Sequence, residues 1–225
     1  MQTTADLVAP AWEERLRKIT IVIARLGLAY LFLTQLFWKL PPSFGCTNDF
    51  AFPIAAPAPN YWDGNGSGGL CYWMGLESIY APSYRQLLVT DMRPAGLPKI
   101  GFNIAPLAQA NALLLDNVII PNIAFFGWLI WLAEFWIFLS MLLGFLSRFG
   151  ALVSIGITAQ LWVGLANIPR PYEWEWAYGS IVLLSIVLLG LAPGRIFGVD
   201  SALRRRISVS AAQGNRLSQL LMALS

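Results

Sequence analysis

One carboxylate in this sequence stands where a charge is costly. Glu134 is the single acidic residue in the apolar run from Phe125 to Ala166. With about ten apolar residues on either side, at ~1.5 Å per helical residue, it lies near the middle of a hydrocarbon layer ~30 Å thick. A charge at that depth costs about 2.5 to 3.5 kcal/mol on insertion scales, so the position is a functional-site hypothesis. We therefore predict that Glu134 is the most function-sensitive residue and handles a proton.

Arg25 is the expected partner of Glu134. It lies about 9 Å inside the cytoplasmic end of its apolar run, and Glu134 lies about 15 Å from the same side, a difference that an extended arginine side chain covers. An alternative is that Arg25 extends to the headgroups and Glu134 is protonated or hydrogen-bonded to a neighbouring helix. A pair that only holds helices together and a pair that handles protons look the same in the sequence.

Polar and aromatic residues at related depths predict a polar pocket among the spans. Ligand pockets of this kind combine a few hydrogen-bonding groups with apolar walls. Gln160 lies at a depth similar to that of Glu134, so Glu134, Gln160 and Arg25 are expected to share one polar pocket. Gln35 lies nearer the outer side, and the pocket walls can be formed by Trp131, Trp136 and Trp162. The competing interpretation is that these tryptophans mark membrane interfaces and helix contacts.

Other chemistry is excluded by what the sequence lacks. The chain has no histidine, which removes the commonest ligand for haem, copper or zinc and the usual near-neutral general base. It shows no flavin or metal motif. The net charge of +3 comes from arginines beside the apolar runs, which indicates membrane orientation and contact with lipid headgroups and does not indicate nucleic-acid binding.

The two cysteines, Cys46 and Cys71, fall in a polar stretch outside the apolar runs. In an extracytoplasmic loop such a pair predicts a structural disulfide that closes about 25 residues and contributes about 3 kcal/mol. A redox-active pair is the alternative. The spacing is not CxxC and no histidine is present to lower a thiol pKa, so the structural interpretation is favoured.

The composition predicts an integral membrane protein, because 12% of residues are charged against about 25% in an ordinary soluble domain. The predicted fold is an all-α membrane protein, a four-transmembrane-helix bundle forming one domain over residues 1–206. Spans are expected at about 19–40, 123–143, 149–168 and 177–192. A long extracytoplasmic loop at 41–122 would join the first two spans, with a surface helix at Pro106–Ile120 and a turn-rich segment at Asp63–Gly69.

The distribution of lysine and arginine beside the spans predicts orientation in the cytoplasmic (inner) membrane. The positive charges nearest the span ends cluster on one side, which places both termini in the cytoplasm. The segment AWEERLRK, which begins at Ala11, is expected to be a short surface helix before the first span. The tail at 207–225 is expected to lie on the cytoplasmic membrane surface, following the triple arginine Arg204–Arg206.

Several segments resemble the DoxX family of four-span membrane proteins. ARLGLAYLFLTQLFWKLPP resembles the family opening RxxLGxxFLxxxxxKLP, and Glu134 followed by LLGFLSRFGAL resembles its second and third spans. EWEWAYGSIVLL with LGLAPGRIFGVDSALRRR is similar to the end of the DoxD-type members. The resemblance covers roughly Arg25 to Arg206; the loop at 41–105 does not match, and Gln35 stands where the family often has a small residue. It implies a four-helix bundle and a redox or quinone association, since the DoxD type is the membrane subunit associated with thiosulfate:quinone oxidoreductase. A quinone head needs one or two hydrogen-bond donors in an apolar slot, and the polar pocket described above would be that slot.

Two functions from different classes follow. In the first, the protein is the membrane subunit of a quinone-linked redox complex, which receives electrons from an extracytoplasmic partner and passes a proton by way of Glu134. In the second, it is a non-catalytic structural or assembly subunit of a larger respiratory or photosynthetic membrane complex. The family resemblance favours the first, and the absence of histidine and of cofactor motifs favours the second. Both predict membrane lipids and further protein subunits as partners.

Overall fold

The computed structural model describes residues 10–52, 69–83, 85–90, 100–169 and 173–225. It is mostly helical. The helices are α1 (Ala11–Leu36), α2 (Gly69–Tyr80), α3 (Ala105–Leu114), α4 (Ile123–Leu143), α5 (Ser147–Leu165), α6 (Glu175–Leu191), α7 (Val199–Ala212) and α8 (Arg216–Leu224). Two strands are present, β1 (Gln86–Thr90) and β2 (Ile100–Asn103).

Three helical segments of the described chain are long and apolar enough to cross a membrane: Ala11–Lys39, Ala105–Leu143 and Ser147–Leu165. Helices can do this because all their backbone polar groups are satisfied within the segment. The helix predicted as a fourth span, α6, is apolar but has 17 residues, or about 25 Å against a hydrocarbon layer of ~30 Å. The count of four spans therefore stays a prediction.

The first span is longer than expected, because the predicted surface helix and the span form one continuous helix. α1 runs from Ala11 to Leu36 and ends in a 3₁₀ turn over Phe37–Lys39. No proline or glycine interrupts the junction, and Glu14 pairs with Arg17 at 2.6 Å and Lys18 at 3.2 Å on the same face. Such pairs three and four residues apart support the helix across the predicted boundary.

The connection predicted as a long loop at 41–122, with one helix at Pro106–Ile120, holds more regular structure than expected among its described residues. This region contains α2, α3 and an antiparallel pair of strands, with Gln86 opposite Asn103 and Leu87 opposite Phe102. The fold is therefore not purely α-helical. The strands hold because Leu87 points into a buried cluster with Ile104 and Ala166, so that one face of the hairpin is covered. The predicted turn at Asp63–Gly69 lies outside the described residues, except for Gly69.

The predicted helix at Pro106–Ile120 is confirmed, and it continues into the second span. α3 passes through a π-helical turn at Leu115–Ile119 and a 3₁₀ turn at Ile120–Asn122 before α4 begins. Pro121 is tolerated because it stands at the start of that 3₁₀ turn, where its missing N–H is not required. The result is one helical segment of 39 residues.

The chain divides into two compact units. The first comprises the described parts of Met1–Phe32, Trp136–Leu152 and Leu184–Ser225; the second comprises those of Leu33–Phe135 and Val153–Leu183. The second unit has an apolar cluster formed by Phe44, Leu70, Met74 and other side chains. The first unit ends in the helix pair α7 and α8, with Leu217 and Leu220 exposed on α8. Placement of this tail on the membrane surface stays a prediction.

The predicted disulfide is present in the second unit. Cys46 and Cys71 are bonded, with their Cα atoms 5.5 Å apart. The bond fastens the segment after α1 to the third residue of α2. Because Cys71 lies in the same apolar cluster as Phe44 and Leu70, the cross-link and the packing fix the same junction.

Candidate functional site

Glu134 forms a buried ion pair with Lys39. Glu134 is 2% exposed on α4, and Lys39 is 4% exposed at the end of the 3₁₀ turn that follows α1. The Lys39 Nζ donates a hydrogen bond to Glu134 Oε1. The other carboxylate oxygen, Oε2, is buried and has no hydrogen-bond partner among the described residues. The pair thus presents a cation and an oxygen with unused acceptor capacity.

Two of the residues predicted to contact a quinone lie next to this pair. Lys39 Nζ stands 4.6 Å from the centre of the Trp38 ring, a cation–π contact. The Trp38 indole donates to Gln35 Oε1 at 3.2 Å. The Trp131 indole donates to the Leu36 carbonyl at 3.4 Å, one turn of chain from Lys39. We call Lys39, Glu134, Gln35, Trp38 and Trp131 the Glu134 site.

The prediction that Arg25 is the partner of Glu134 is wrong. Arg25 is 3% exposed and donates to three backbone carbonyls, those of Pro193 at 3.2 Å, Ile196 at 3.2 Å and Phe197 at 3.3 Å. The alternative in which Arg25 extends to the headgroups also fails, because its guanidinium is buried in these contacts. Its five fixed donors suit a chain reversal where carbonyls lack helical partners. The role of Arg25 is therefore to hold the turn after α6.

Asp200 at the start of α7, which the sequence analysis did not single out, is bound to the turn between α4 and α5. Its carboxylate accepts the backbone N–H of Leu146 at 2.7 Å and of Ser147 at 2.9 Å, and the Ser147 hydroxyl at 2.8 Å. Its own N–H donates to the Gly144 carbonyl at 2.8 Å. Gly194 is required because a Cβ there would meet that carbonyl at 2.5 Å. Hydrogen bonds thus hold the segments GFLSRFG and PGRIFGVD together in the first unit.

Gln160 belongs to a different cluster from the one predicted. Its Nε2 donates to Glu77 Oε2 at 2.6 Å, and Asn111 Nδ2 donates to the same oxygen at 2.7 Å. Gln160 Nε2 also contacts Asn111 Oδ1 at 3.3 Å. The prediction that Gln160 shares a pocket with Glu134 and Arg25 is therefore wrong. Glu77 was missed, although it is the single charged residue in the stretch GLCYWMGLESIY that became α2, which is the signal that could have found it.

Trp162 and Arg85 border this second cluster. Arg85 donates to the carbonyls of Gly164, at 2.8 Å, and Ala166. Trp162 packs beside the buried cluster of Leu87 and Ala166, and its indole N–H is buried without a partner among the described residues. Trp162 thus packs with the strand pair, and its part in a quinone wall stays a prediction. Trp136, in the first unit, packs against Phe145 and Phe149, with ring centres 6.0 Å and 5.9 Å apart.

Burial raises the pKa of Glu77 to about 8, and the hydrogen bonds from Asn111 and Gln160 and the charge of Arg85 act in the opposite direction. The helix that carries it, α2, has 12 residues and lies outside the three candidate spans. Burial also lowers the pKa of Arg85, although the Glu77 carboxylate opposes that change. Burial thus favours the neutral form of the Glu77 carboxyl.

A family model described as "TQO small subunit DoxD" matches residues 70–225, which is more than half of the chain. The chain belongs to the DoxD family. No curated protein and no solved structure matches it.

Membership of the DoxD family, together with three helices able to span a membrane, makes this an integral membrane protein in contact with lipid. The matched residues include Glu77, Glu134, Gln160 and Asp200, whereas Arg25 and Lys39 precede them. The resemblance of the first span to the wider DoxX family therefore stays a prediction. So does the assignment of catalytic or cofactor-binding roles to individual residues.

Proposed function

We propose that this DoxD-family protein is the membrane subunit of a quinone-linked redox complex of the thiosulfate:quinone oxidoreductase type, with the Glu134 site as its quinone contact. It lies in the cytoplasmic membrane with four spans, of which α6 is the last, and with both termini in the cytoplasm. The observation that carries the proposal is the buried Lys39–Glu134 pair, in which one carboxylate oxygen has no partner among the described residues.

Stability alone gives little reason to keep such a pair. Burying two charges costs desolvation energy, and replacing a buried ion pair with apolar residues of similar volume is often neutral or stabilising. An additional carboxylate oxygen without a partner adds to that cost. A pair that costs stability and is buried in a membrane helix is best explained by use in chemistry.

The residues of the Glu134 site fit a quinone head. When bound, a quinone accepts two electrons and two protons. The Lys39 ammonium is a hydrogen-bond donor suited to a carbonyl oxygen of the head. The free Glu134 Oε2 can accept a hydrogen bond from a hydroxyl group or hold a proton. Trp131 and Trp38 supply flat apolar walls, and Gln35, hydrogen-bonded to Trp38, fixes one of them.

Each residue then has a defined part. Lys39 orients the head through its ammonium group. Because quinone reduction consumes protons, Glu134 would act as a general acid: it carries a proton on Oε2, gives it to the reduced head and returns to its ion pair with Lys39. Reprotonation of Oε2 from solvent would supply the second proton. The electrons would come from an extracytoplasmic partner subunit, and the description of the family as a small subunit supports the presence of such a partner.

The test is to purify the complex in mild detergent from membranes that carry the unaltered chain, Glu134→Gln or Lys39→Met. Three quantities are measured for each: the subunits that co-purify, the quinone extracted per chain, and the rate of thiosulfate-dependent quinone reduction. We expect Glu134→Gln to keep the subunits and to lower the rate by about 10² or more, the usual contribution of a positioned acid or base. Lys39→Met should also lower the quinone content.

The matched control is Glu14→Gln, the same change at a partly exposed carboxylate in α1, which should leave all three quantities unchanged. A normal rate and normal quinone content in Glu134→Gln would overturn the proposal. Loss of the partner subunits in Glu134→Gln and Lys39→Met, with no quinone in the unaltered complex, would indicate the assembly role instead.

A further inference from the structure

Glu77 is a buried acid that is not part of the proposed quinone site. It is 3% exposed, and its neighbours Leu76 and Tyr80 on α2 are buried as well. Its carboxyl group lies against the backbone of α5, because a Cβ on Gly164 would come within 2.8 Å of Glu77 Cγ. The group is thus enclosed by helix on the side that faces α5.

The hydrogen bonds to Glu77 form a closed ring of neutral groups. Asn111 and Gln160 both donate to Oε2, and Gln160 Nε2 also contacts Asn111 Oδ1. Amide donors can bond to a carboxyl oxygen whether or not the group carries a proton. The ring therefore holds the side chain in place in both protonation states.

Among the described residues, no charged or titratable group on a neighbouring element forms an ion pair with Glu77. Arg85, before β1, directs both terminal nitrogens to the carbonyls of Gly164 and Ala166. Tyr178 on α6 is a neutral phenol that donates to Glu173 at 3.0 Å. α3 and α5 contribute only the amides. In the described chain no salt bridge to Glu77 within 4.0 Å is present.

A carboxylate that is buried without an adjacent counter-charge is forced toward its neutral form. The two hydrogen bonds from the neutral amides of Asn111 and Gln160, and the more distant Arg85 guanidinium, reduce this cost without removing it. The outcome is the raised pKa of about 8, which agrees in direction with the enclosed geometry.

We propose that Glu77 is a reversible proton-binding site, in which the proton is carried by the carboxyl group inside the ring formed with Asn111 and Gln160. The site is separate from the Glu134 site and does not rest on the proposed quinone chemistry. Binding of the proton leaves the positive charge of Arg85 uncompensated, and its release makes the cluster neutral overall. The protonation state of Glu77 is therefore coupled to the packing of α2 against α3 and α5.

The direction of the pH effect follows from linkage. The pKa of Glu77 is about 8 in the folded protein and 4.5 for the free side chain, so the folded state alone binds the proton between these values. Its contribution to stability is fully present below pH 4.5 and is lost as the pH rises toward 8. Within that window the unfolding constant rises about tenfold per pH unit, the slope for one proton.

The experiment is infrared difference spectroscopy of the purified full-length chain in detergent, titrated with base. We expect a protonated-carboxyl C=O band that disappears with a midpoint near pH 8. Glu77→Gln should lack this band and should show a flatter dependence of thermal unfolding on pH, because glutamine resembles the protonated acid. Glu134→Gln should keep the band. Asp116→Asn is the matched control, because Asp116 is exposed, accepts from Ser78 at 3.2 Å, and lies in the same region.

A second variant keeps the proposal testable if Glu77→Gln does not fold. Gln160→Leu removes a donor that favours the ionised form, so the midpoint of the same band should move to higher pH. A band that persists unchanged in Glu77→Gln, or a midpoint that does not move in Gln160→Leu, would overturn the assignment. Failure of the quinone experiments above would leave these spectra unaffected, so the two proposals can fail separately.

Discussion

At the scale of single residues, each buried charge has its own kind of partner. Glu134 has an ion pair with Lys39, Glu77 has neutral amides, Arg25 has backbone carbonyls, and Asp200 has backbone N–H groups and a hydroxyl. The partners indicate different roles. Groups that fasten backbone are structural, whereas a carboxyl with a spare oxygen or a neutral ring can exchange a proton.

The Lys39–Glu134 pair should behave as a buried unit in a double-mutant cycle. Lys39→Met strands the Glu134 carboxylate and should cost about 3 to 5 kcal/mol of stability, as is typical when one member of a buried pair is removed. Adding Glu134→Gln should restore part of that loss, so the double change costs less than the sum of the single changes. Unfolding in detergent, followed by circular dichroism, measures all three variants.

The control for this cycle is the exposed pair of Lys18 with Glu14, whose side chains are 44% and 38% exposed. Lys18→Met should cost at most about 1 kcal/mol. Strictly additive effects of Lys39→Met and Glu134→Gln would contradict the ion pair.

At the scale of elements, glycines decide how closely α5 can be approached. Gly164 lies where a Cβ would overlap the Glu77 side chain, whereas a Cβ on Gly156, in the same helix, would meet nothing within 4 Å. Small residues at such contacts let helices pack closely in membranes. The spacing of glycines in the sequence shows neither which of them touches a neighbour nor what that neighbour is.

Gly164→Ala and Gly156→Ala form a matched pair that tests this packing. Gly164→Ala should destabilise the protein by about 1 to 3 kcal/mol, because the added methyl group displaces the Glu77 carboxyl. Gly156→Ala should be neutral or should stabilise it by about 0.5 to 1 kcal/mol, since alanine is the better helix former. Equal effects of the two changes on the midpoint of thermal unfolding would show that Glu77 does not pack against α5.

At the scale of the whole molecule, the number of spans determines on which side of the membrane the C-terminal helices lie. Three spans place α7 and α8 on the side opposite to the N-terminus, and a fourth span formed by α6 returns them to the same side. α6 is short for this task at 17 residues, although flanking anchors and local thinning of the bilayer can accommodate a short span.

Labelling of introduced cysteines distinguishes the two topologies. Both native cysteines are held in the disulfide, so an added thiol is the only one available. In spheroplasts, an impermeant maleimide should label Ser83→Cys, which follows α2, and should label Ser208→Cys on α7 only after the membrane is permeabilised. Labelling of Ser208→Cys in intact spheroplasts would indicate three spans. Protection of Ser83→Cys from the reagent would indicate that the protein has the opposite orientation in the membrane.

The sequence alone determined the features that depend on composition along the chain. Low charge and long apolar runs indicated a helical membrane protein, the paired cysteines in a polar stretch indicated the disulfide, and the pattern around Pro106 indicated α3. The motifs in the last third indicated the DoxD family, to which the chain belongs. These inferences hold because insertion into lipid and local helix formation depend mainly on consecutive residues.

The tertiary structure decided which side chains meet. Depth along a span gave Arg25 and Gln160 as neighbours of Glu134, but depth does not fix the direction in which a side chain leaves its helix. Lys39 reaches Glu134 because the turn after α1 directs it inward, and Arg25 is occupied by carbonyls of a turn far away in the chain. The hairpin and the ring around Glu77 likewise depend on long-range pairing, since no local pattern specifies which partner covers a buried polar group.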